Sequence, residues 1–204
     1  MKAQWTDFIT LLKREVVPAL GCTEPMSVAL AAANCRKLLG QDPTRISAWV
    51  SGTLFKNGMG VGVPGTGMIG LPVAAAVGIT GGNPDAGLEV LKTLTPEQVD
   101  AAKALLPIIK VDVKDVPDVL YAEVLAEADG HSARVVICTD HTRIVLLEKD
   151  GEVLMEQASA PGVQIQPARS AKPALTLKEI VEFSLEVPLA DITFIGEAAS
   201  MNQA

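Results

Sequence analysis

The sequence predicts an α+β fold, in which a helical layer with a glycine-rich loop is joined to a small antiparallel β-meander. Three observations predict it. Apolar residues recur at helical spacing in the first half, a glycine-rich stretch interrupts that half, and short alternating segments separated by tight turns follow Lys110. The chain has 204 residues, 49% hydrophobic and 20% charged. That composition supports a folded core and excludes a disordered tail, a collagen-like fibre and a coiled coil.

Two helices are predicted first. Residues 4–17 place apolar side chains at helical spacing, and Pro18 ends the segment. The second helix is predicted over residues 24–39, with Thr23 as its N-cap and Gly40 after its last turn. Its first half is apolar or small on all sides, which is typical of a helix buried among close neighbours.

Residues 46–109 are predicted to contain a strand, a glycine-rich stretch and two helices. Residues 46–51 alternate between apolar and polar, which predicts a strand. The glycine-rich stretch 56–67 follows, and an apolar helix is predicted over residues 68–79. Another helix, with Thr95 as its N-cap, is predicted to run to about residue 109.

The meander is predicted from turns and alternation. Its four strands are expected over residues 120–127, 132–138, 143–147 and 153–156. Asp129-Gly130 and Asp150-Gly151 supply hairpin turns between them. Residues 157–173 contain several prolines and predict a connector, and two helices are expected over residues 177–185 and 191–204.

These segments predict three parts of the chain. Residues 1–110 form a helical part with the loops, residues 111–156 form the meander, and residues 157–204 form the connector and the helices that return to the helical part. The last predicted helix has no Gly, Pro or basic turn to close it. Such an ending is typical either of a frayed terminus or of a longer protein cut within a helix.

Charge and cysteine content narrow the function classes. Lys and Arg number 17 against 24 Asp and Glu, so the formal net charge of −7 argues against nucleic acid and anionic membranes as partners. The three cysteines lack the spacing of a disulfide framework, and the N-terminus lacks the apolar run of a signal peptide. We therefore expect a cytoplasmic chain with free thiols. The uncharged segment 57–84 is too rich in Gly and Pro for a membrane helix.

Cys22 is the first candidate for chemistry, because it lies at the start of the predicted second helix. The free N–H groups and the dipole of a helix N-terminus favour a thiolate, which can be a base, a nucleophile or a metal ligand. The neighbouring Glu24 opposes this by charge repulsion. The alternative is that Cys22 is a small residue packed in a tight turn.

The glycine-rich stretch is the second candidate. Its amides are expected to converge on a carboxylate or phosphate at the start of the next helix, with help from Lys56, Asn57 and Thr66. The alternative is that the glycines only permit two backbone segments to cross closely. Residues 60–65 match G-x-G-x-x-G, but Pro64 lies inside the match and no βαβ alternation follows, so dinucleotide binding is a weaker interpretation.

The remaining candidates are interpreted as structural. Cys35 and Cys138 fall in apolar elements and are expected to pack in the core. His131 and His141 lie beside turns without a partner at metal-ligand spacing, so both are expected at the surface, and no metal site is expected in this chain.

Two motifs taken together suggest a family. Gly21-Cys-Thr-Glu-Pro, followed by Lys56-Asn-Gly-Met-Gly-Val-Gly-Val-Pro-Gly-Thr-Gly, resembles the L-cysteine desulfidase family, which is related to the catalytic chain of iron–sulfur L-serine dehydratases. The resemblance covers the whole chain. Members of that family continue well beyond this length, so the chain resembles their N-terminal half.

The resemblance implies a carbon–sulfur lyase that uses a [4Fe–4S] cluster and converts L-cysteine to sulfide, pyruvate and ammonia. It implies that Cys22 is the base that removes the Cα proton, and that Thr23 and the Gly65–Thr66 loop hold the substrate carboxylate. The other expected substrate-binding residues are Glu24, Lys56 and Asn57. The cluster ligands are expected outside this chain, which alone is expected to be inactive. A ligand role for Cys22, and serine as the substrate, remain open.

The expected partners are a small amino acid, the missing C-terminal half and further copies of the chain. An alternative of another class is a non-catalytic module that binds small carboxylates or a partner chain. A nucleotide-binding protein is a weaker alternative.

Overall fold

A computed structural model describes residues 3–157 and 175–203 and confirms the α+β class. The helices are α1 (Ala3–Glu15), α2 (Thr23–Leu39), α3 (Gly52–Gly58), α4 (Leu71–Gly81), α5 (Pro96–Leu105), α6 (Leu177–Glu186) and α7 (Thr193–Gln203). The strands are β1 (Arg45–Val50), β2 (Gly62–Val63), β3 (Met68–Ile69), β4 (Ile109–Val113), β5 (Tyr121–Ala128), β6 (His131–Cys138), β7 (Ile144–Lys149) and β8 (Glu152–Glu156). Apart from residue 157, the connector predicted over 157–173 lies outside the described residues. Across the described ranges, no helix is both long and apolar enough to cross a membrane.

The described residues form two compact units. One contains α1, α6 and α7, and the other contains every element from α2 to β8. The first unit has a small core of Trp5, Phe8, Phe183 and Val187. The ring of Phe183 meets the rings of Trp5 and Phe8 edge-on, with centroids 6.1 and 5.3 Å apart. Thr176 caps α6 through a capping box with Glu179.

The second unit is built on a six-stranded sheet in the order β4-β1-β5-β6-β7-β8. Strands β5 to β8 form the predicted antiparallel meander, and β1 joins it antiparallel to β5. Strand β4 pairs parallel to β1 and was not predicted, because a helix was expected to continue to about residue 109. The helix ends at Leu105, and Pro107 sits in the 3-10 turn that follows. Proline has no amide hydrogen to continue the helix.

Helix α2 is buried between the sheet and α4, as its small apolar residues predict. The two helices approach closely at Gly78, where a Cβ would lie 2.8 Å from the Cα of Ala29. Cys35 is fully buried on α2, and its thiol donates to the carbonyl oxygen of Val124 at 3.1 Å. The expectation that Cys35 packs in the core is therefore confirmed.

A buried carboxylate lies on the face of the sheet opposite α2. Glu123 is 3% exposed and accepts hydrogen bonds from Lys114, Tyr121 and Arg134. Burial alone would raise the pKa of Glu123, but these three donors outweigh burial and hold the pKa below its ordinary value. Arg134 also reaches Glu148 on β7 at 3.3 Å.

Candidate functional site

Cys22 is the N-cap residue of α2, and the expectation that Thr23 would cap this helix is wrong. Cys22 has extended backbone angles, φ −69° and ψ 135°, and its side chain makes no capping hydrogen bond. Thr23 is the first residue of the helix, and its hydroxyl lies beside His141 rather than over the helix amides. The thiol of Cys22 is exposed at the end of the helix.

The two sequence motifs meet beside this turn. Gly21 has a φ of +76°, and a Cβ at that position would lie 2.9 Å from Cγ of Pro64 in the glycine-rich segment. Glycine is required there both by the left-handed backbone and by this contact. Asn57, from the start of the second motif, donates its side-chain amide to Oε1 of Glu24 at 3.1 Å.

A cavity of about 290 Å³ opens next to the Glu24–Asn57 pair. Its lining combines the first turn of α2, helix α3, the residues before β5 and the turn after β6. The lining residues are Glu24, Thr53, Leu54, Asn57, Val119, Leu120, Thr139, Asp140 and His141. Of the residues expected to bind substrate, Glu24 and Asn57 line this cavity. Lys56 lies in the last turn of α3 and is exposed. Two carboxylates and an imidazole face a partly apolar space large enough for a small amino acid.

The glycine-rich segment does not run directly into a helix as predicted. Strands β2 and β3 form a short hairpin, and α4 begins at Leu71, three residues after the predicted start. The hydroxyl of Thr66 donates to the carbonyl oxygen of Val63 at 2.7 Å and accepts from the amide of Met68 at 3.0 Å. Gly65 supplies the positive φ of the turn. The hydrogen bonds of Thr66 therefore close its own turn.

His141 belongs to the site, so the expectation that it lies at the surface is wrong. It lies in the turn that links β6 to β7 and is half-buried against the first turn of α2. Its Nε2 lies 3.1 Å from Oγ1 of Thr23, and its Nδ1 lies 3.0 Å from Oγ of Ser27. The sequence offers no signal for this contact, because a histidine in a turn between strands has no periodicity that marks an inward direction.

The hydrogen-bond pattern assigns the tautomer of His141. Ser27 Oγ lies 2.9 Å from the carbonyl oxygen of His141 and 3.1 Å from that of Thr23, and these oxygens only accept. Ser27 can donate its single proton to one of them and accept Nδ1–H from the ring. Nε2 then accepts the hydroxyl proton of Thr23. Burial lowers the pKa of His141 despite the opposing charges of Glu24 and Asp140, so the ring is neutral near pH 7.

The three thiols differ sharply in environment. Burial raises the pKa of Cys35 far above its ordinary range. Burial and the neighbouring Asp118 raise the pKa of Cys138 to about 12, and Cys138 is buried as predicted. In the part of the chain that the structure describes, no three His, Cys, Asp or Glu side chains are grouped to hold a metal ion.

Comparison with known proteins finds close relatives of about twice the length. The chain is 88% identical over 204 residues to a UPF0597 protein of Aeromonas salmonicida and 86% identical to one of Aeromonas hydrophila, covering all of this chain and 47% of each relative. A UPF0597 protein of Chromobacterium violaceum is 50% identical over 204 residues, covering 98% of this chain and 46% of the relative. The chain thus spans about half the length of the curated relatives it matches.

These relatives' names specify no activity. No family model matches the chain. No solved structure matches it either.

Proposed function

We propose that this chain is the substrate-binding part of an amino-acid β-lyase resembling the L-cysteine desulfidases, with L-cysteine as its substrate. The observation that carries the proposal is the junction of the two motifs. Gly21 packs on Pro64, and Glu24 binds Asn57, so the two contacts lie on either side of the exposed Cys22 in the sequence. Glu24 and Asn57 line the cavity, whereas Cys22 is not among its lining residues. Motifs this far apart in the chain meet at a place with room for a small molecule.

In the proposed reaction, the thiolate of Cys22 takes the Cα proton of the substrate. The Cβ–S bond then breaks, sulfide leaves with the electron pair, and aminoacrylate remains. Aminoacrylate tautomerises to an imine, which water hydrolyses to pyruvate and ammonia. The balance requires one water and no oxidant or reductant.

The cavity supports a zwitterionic substrate. Glu24 retains Oε2 beyond its bond with Asn57, and we assign it to the substrate ammonium. The negative charges of Glu24 and Asp140 disfavour a ligand that is only an anion, so a carboxylate-binding module is the weaker candidate. The G-x-G-x-x-G match forms a hairpin rather than a strand–turn–helix, which disfavours a nucleotide site.

The described residues of this chain do not fit an iron–sulfur cluster. Cys35 and Cys138 are buried with protonated thiols, and the described residues contain no group of three ligands. We place the [4Fe–4S] cluster of the proposed enzyme, with its ligands, in the portion of the relatives' length that this chain does not span.

The proposal is tested on a protein of the relatives' full length. Purified without oxygen, it is expected to release sulfide, pyruvate and ammonia in equal amounts from L-cysteine. 3-Mercaptopropionate, which lacks the ammonium group, is the matched control and is expected to release no sulfide. If iron-loaded, folded protein releases no sulfide from L-cysteine, the proposal fails; if L-serine is converted faster, the substrate assignment fails.

We also propose that α6 contacts the remaining half of the protein. Leu177, Val181 and Leu185 follow one face of α6 and are 78, 47 and 80% exposed, which leaves an apolar stripe. Exposed apolar surface of this kind tends to associate.

The 204-residue chain alone is therefore expected to self-associate, and sedimentation at several concentrations measures this. Replacing Leu177 and Leu185 by Lys should yield a monomer, whereas Lys178→Gln on the same helix should not. A monomeric wild-type chain at all concentrations would contradict the prediction.

A further inference from the structure

We propose that His141 is a positioning residue of the site, whose Nε2 holds the Thr23 hydroxyl and thereby fixes the turn that carries Cys22 and the cavity-lining Glu24. This inference deepens the proposed function and rests on it for its catalytic consequence. Its structural basis is independent of the reaction, because it lies in three hydrogen bonds between elements far apart in the sequence.

The contacts of His141 make it a clamp rather than a surface residue. The ring spans Thr23 and Ser27, one turn apart on α2, with 3.1 Å to Oγ1 and 3.0 Å to Oγ. The backbone of His141 also accepts from Ser27 at 2.9 Å. Ser27 itself is fully buried, so the clamp has a rigid anchor on the helix side.

The clamp acts on the residues to which the reaction is assigned. Thr23 lies between Cys22 and Glu24 in the chain, so fixing its side chain restricts the backbone from which both neighbours project. His141 and Glu24 line the same cavity. A misplacement of reacting groups by about 1 Å can lower a rate by about 100-fold.

Protonation reverses the bond between His141 and Thr23. The neutral ring accepts the hydroxyl proton of Thr23 at Nε2, whereas a protonated ring would donate there, and the hydroxyl of Thr23 would have to rotate in order to accept. The charged groups that face the ring are Glu24 on α2 and Asp140 in its own turn, and both favour protonation, whereas burial opposes it more strongly. The ring therefore stays neutral in the fold at a pH where it would be charged in the unfolded chain.

The two ring nitrogens permit a matched pair of variants. The amide of Gln extends to the place of Nε2 and can accept from Thr23, whereas the shorter amide of Asn reaches only the place of Nδ1. In the active full-length protein, His141→Asn and Thr23→Val are each expected to lower kcat about 10-fold or more. The kcat of the double variant should be no lower than that of the less active single variant, because both changes remove the same contact. His141→Gln is expected to restore kcat to within about threefold of wild type and to remove the inflection due to His141, but not that due to the base, from the acid side of the pH profile.

A second measurement needs no activity and uses the 204-residue chain. Because folding lowers the pKa of His141, the unfolded chain binds more protons below its ordinary value of about 6.5. The melting temperature of wild type should therefore fall as the pH drops from 7 to 5, and it should fall less in His141→Gln.

The outcomes separate the two proposals. Equal kcat losses in the Gln and Asn variants, or additive effects of His141→Asn and Thr23→Val, would overturn the positioning role. Identical pH dependence of melting in wild type and His141→Gln would also overturn it. If the full-length protein has no lyase activity but the melting temperatures differ as expected, the proposed function is overturned and the contact of His141 with Thr23 still stands.

Discussion

Brief alkylation of the native chain at pH 7 is expected to modify Cys22 at least about 100-fold faster than Cys35 or Cys138. Cys22 is exposed at the start of α2, where a reagent can reach it. Cys35 is fully buried and bonded to the carbonyl oxygen of Val124, and the pKa of Cys138 is raised to about 12 by burial and Asp118. Access therefore favours Cys22, and the raised pKa values of Cys35 and Cys138 slow their alkylation further.

Peptide mapping after a short pulse of iodoacetamide measures the selectivity. In denaturant all three thiols should be modified at similar rates, which controls for reagent and peptide recovery. The Cys22→Ala chain should show no fast phase. Modification of Cys35 or Cys138 within the same time as Cys22 would show that the described packing around these thiols opens readily.

Replacing Cys22 by Ser in the full-length protein is expected to lower turnover of L-cysteine by about 1,000-fold or more. A positioned general base contributes on the order of 10²–10⁴ in rate, and a serine hydroxyl is a far weaker base than a thiolate. The fold should not suffer, because Cys22 is an exposed N-cap that makes no capping bond and Ser is among the favoured N-cap residues.

Three measurements on the same preparation make this result decisive: turnover, iron content and melting temperature. Unchanged iron and an equal or higher melting temperature with lost turnover would support the base role. Loss of iron in Cys22→Ser would instead make Cys22 a cluster ligand. If the turnover of Cys22→Ser stays within tenfold of wild type, Cys22 is not the base of the reaction.

The sequence predicted the elements whose signals are local. Thr95 forms the expected capping box with Gln98, and the glycine turns at residues 130 and 151 produce the predicted hairpins of the meander. Each of these structures depends on a few adjacent residues, so a short pattern is enough to specify it.

The predictions were wrong where residues far apart in the sequence determine the local structure. Strand β4 has a strand-like alternation of apolar and polar residues over 109–113, but its pairing with the distant β1 decides that the preceding helix ends before it. Thr23 loses its capping role because His141, far along the chain, competes for its hydroxyl. The candidate site was half predicted: Cys22, Glu24 and Asn57 lie at the junction of the motifs, whereas His141 and Ser27 became visible only in three dimensions.

The buried carboxylate of Glu123, on the sheet face opposite α2, also fixes the register of β5. Successive side chains of a strand point to opposite faces, so sliding β5 by one residue would turn Glu123 toward α2. That side of β5 carries Ala122 and Val124, both fully buried in the apolar core. The carboxylate of Glu123 would also lose its ion pairs with Arg134 and Lys114. An unpaired charge in such a layer is too costly to be populated. A single glutamate thus excludes the misaligned pairings that an alternation of small apolar residues would tolerate.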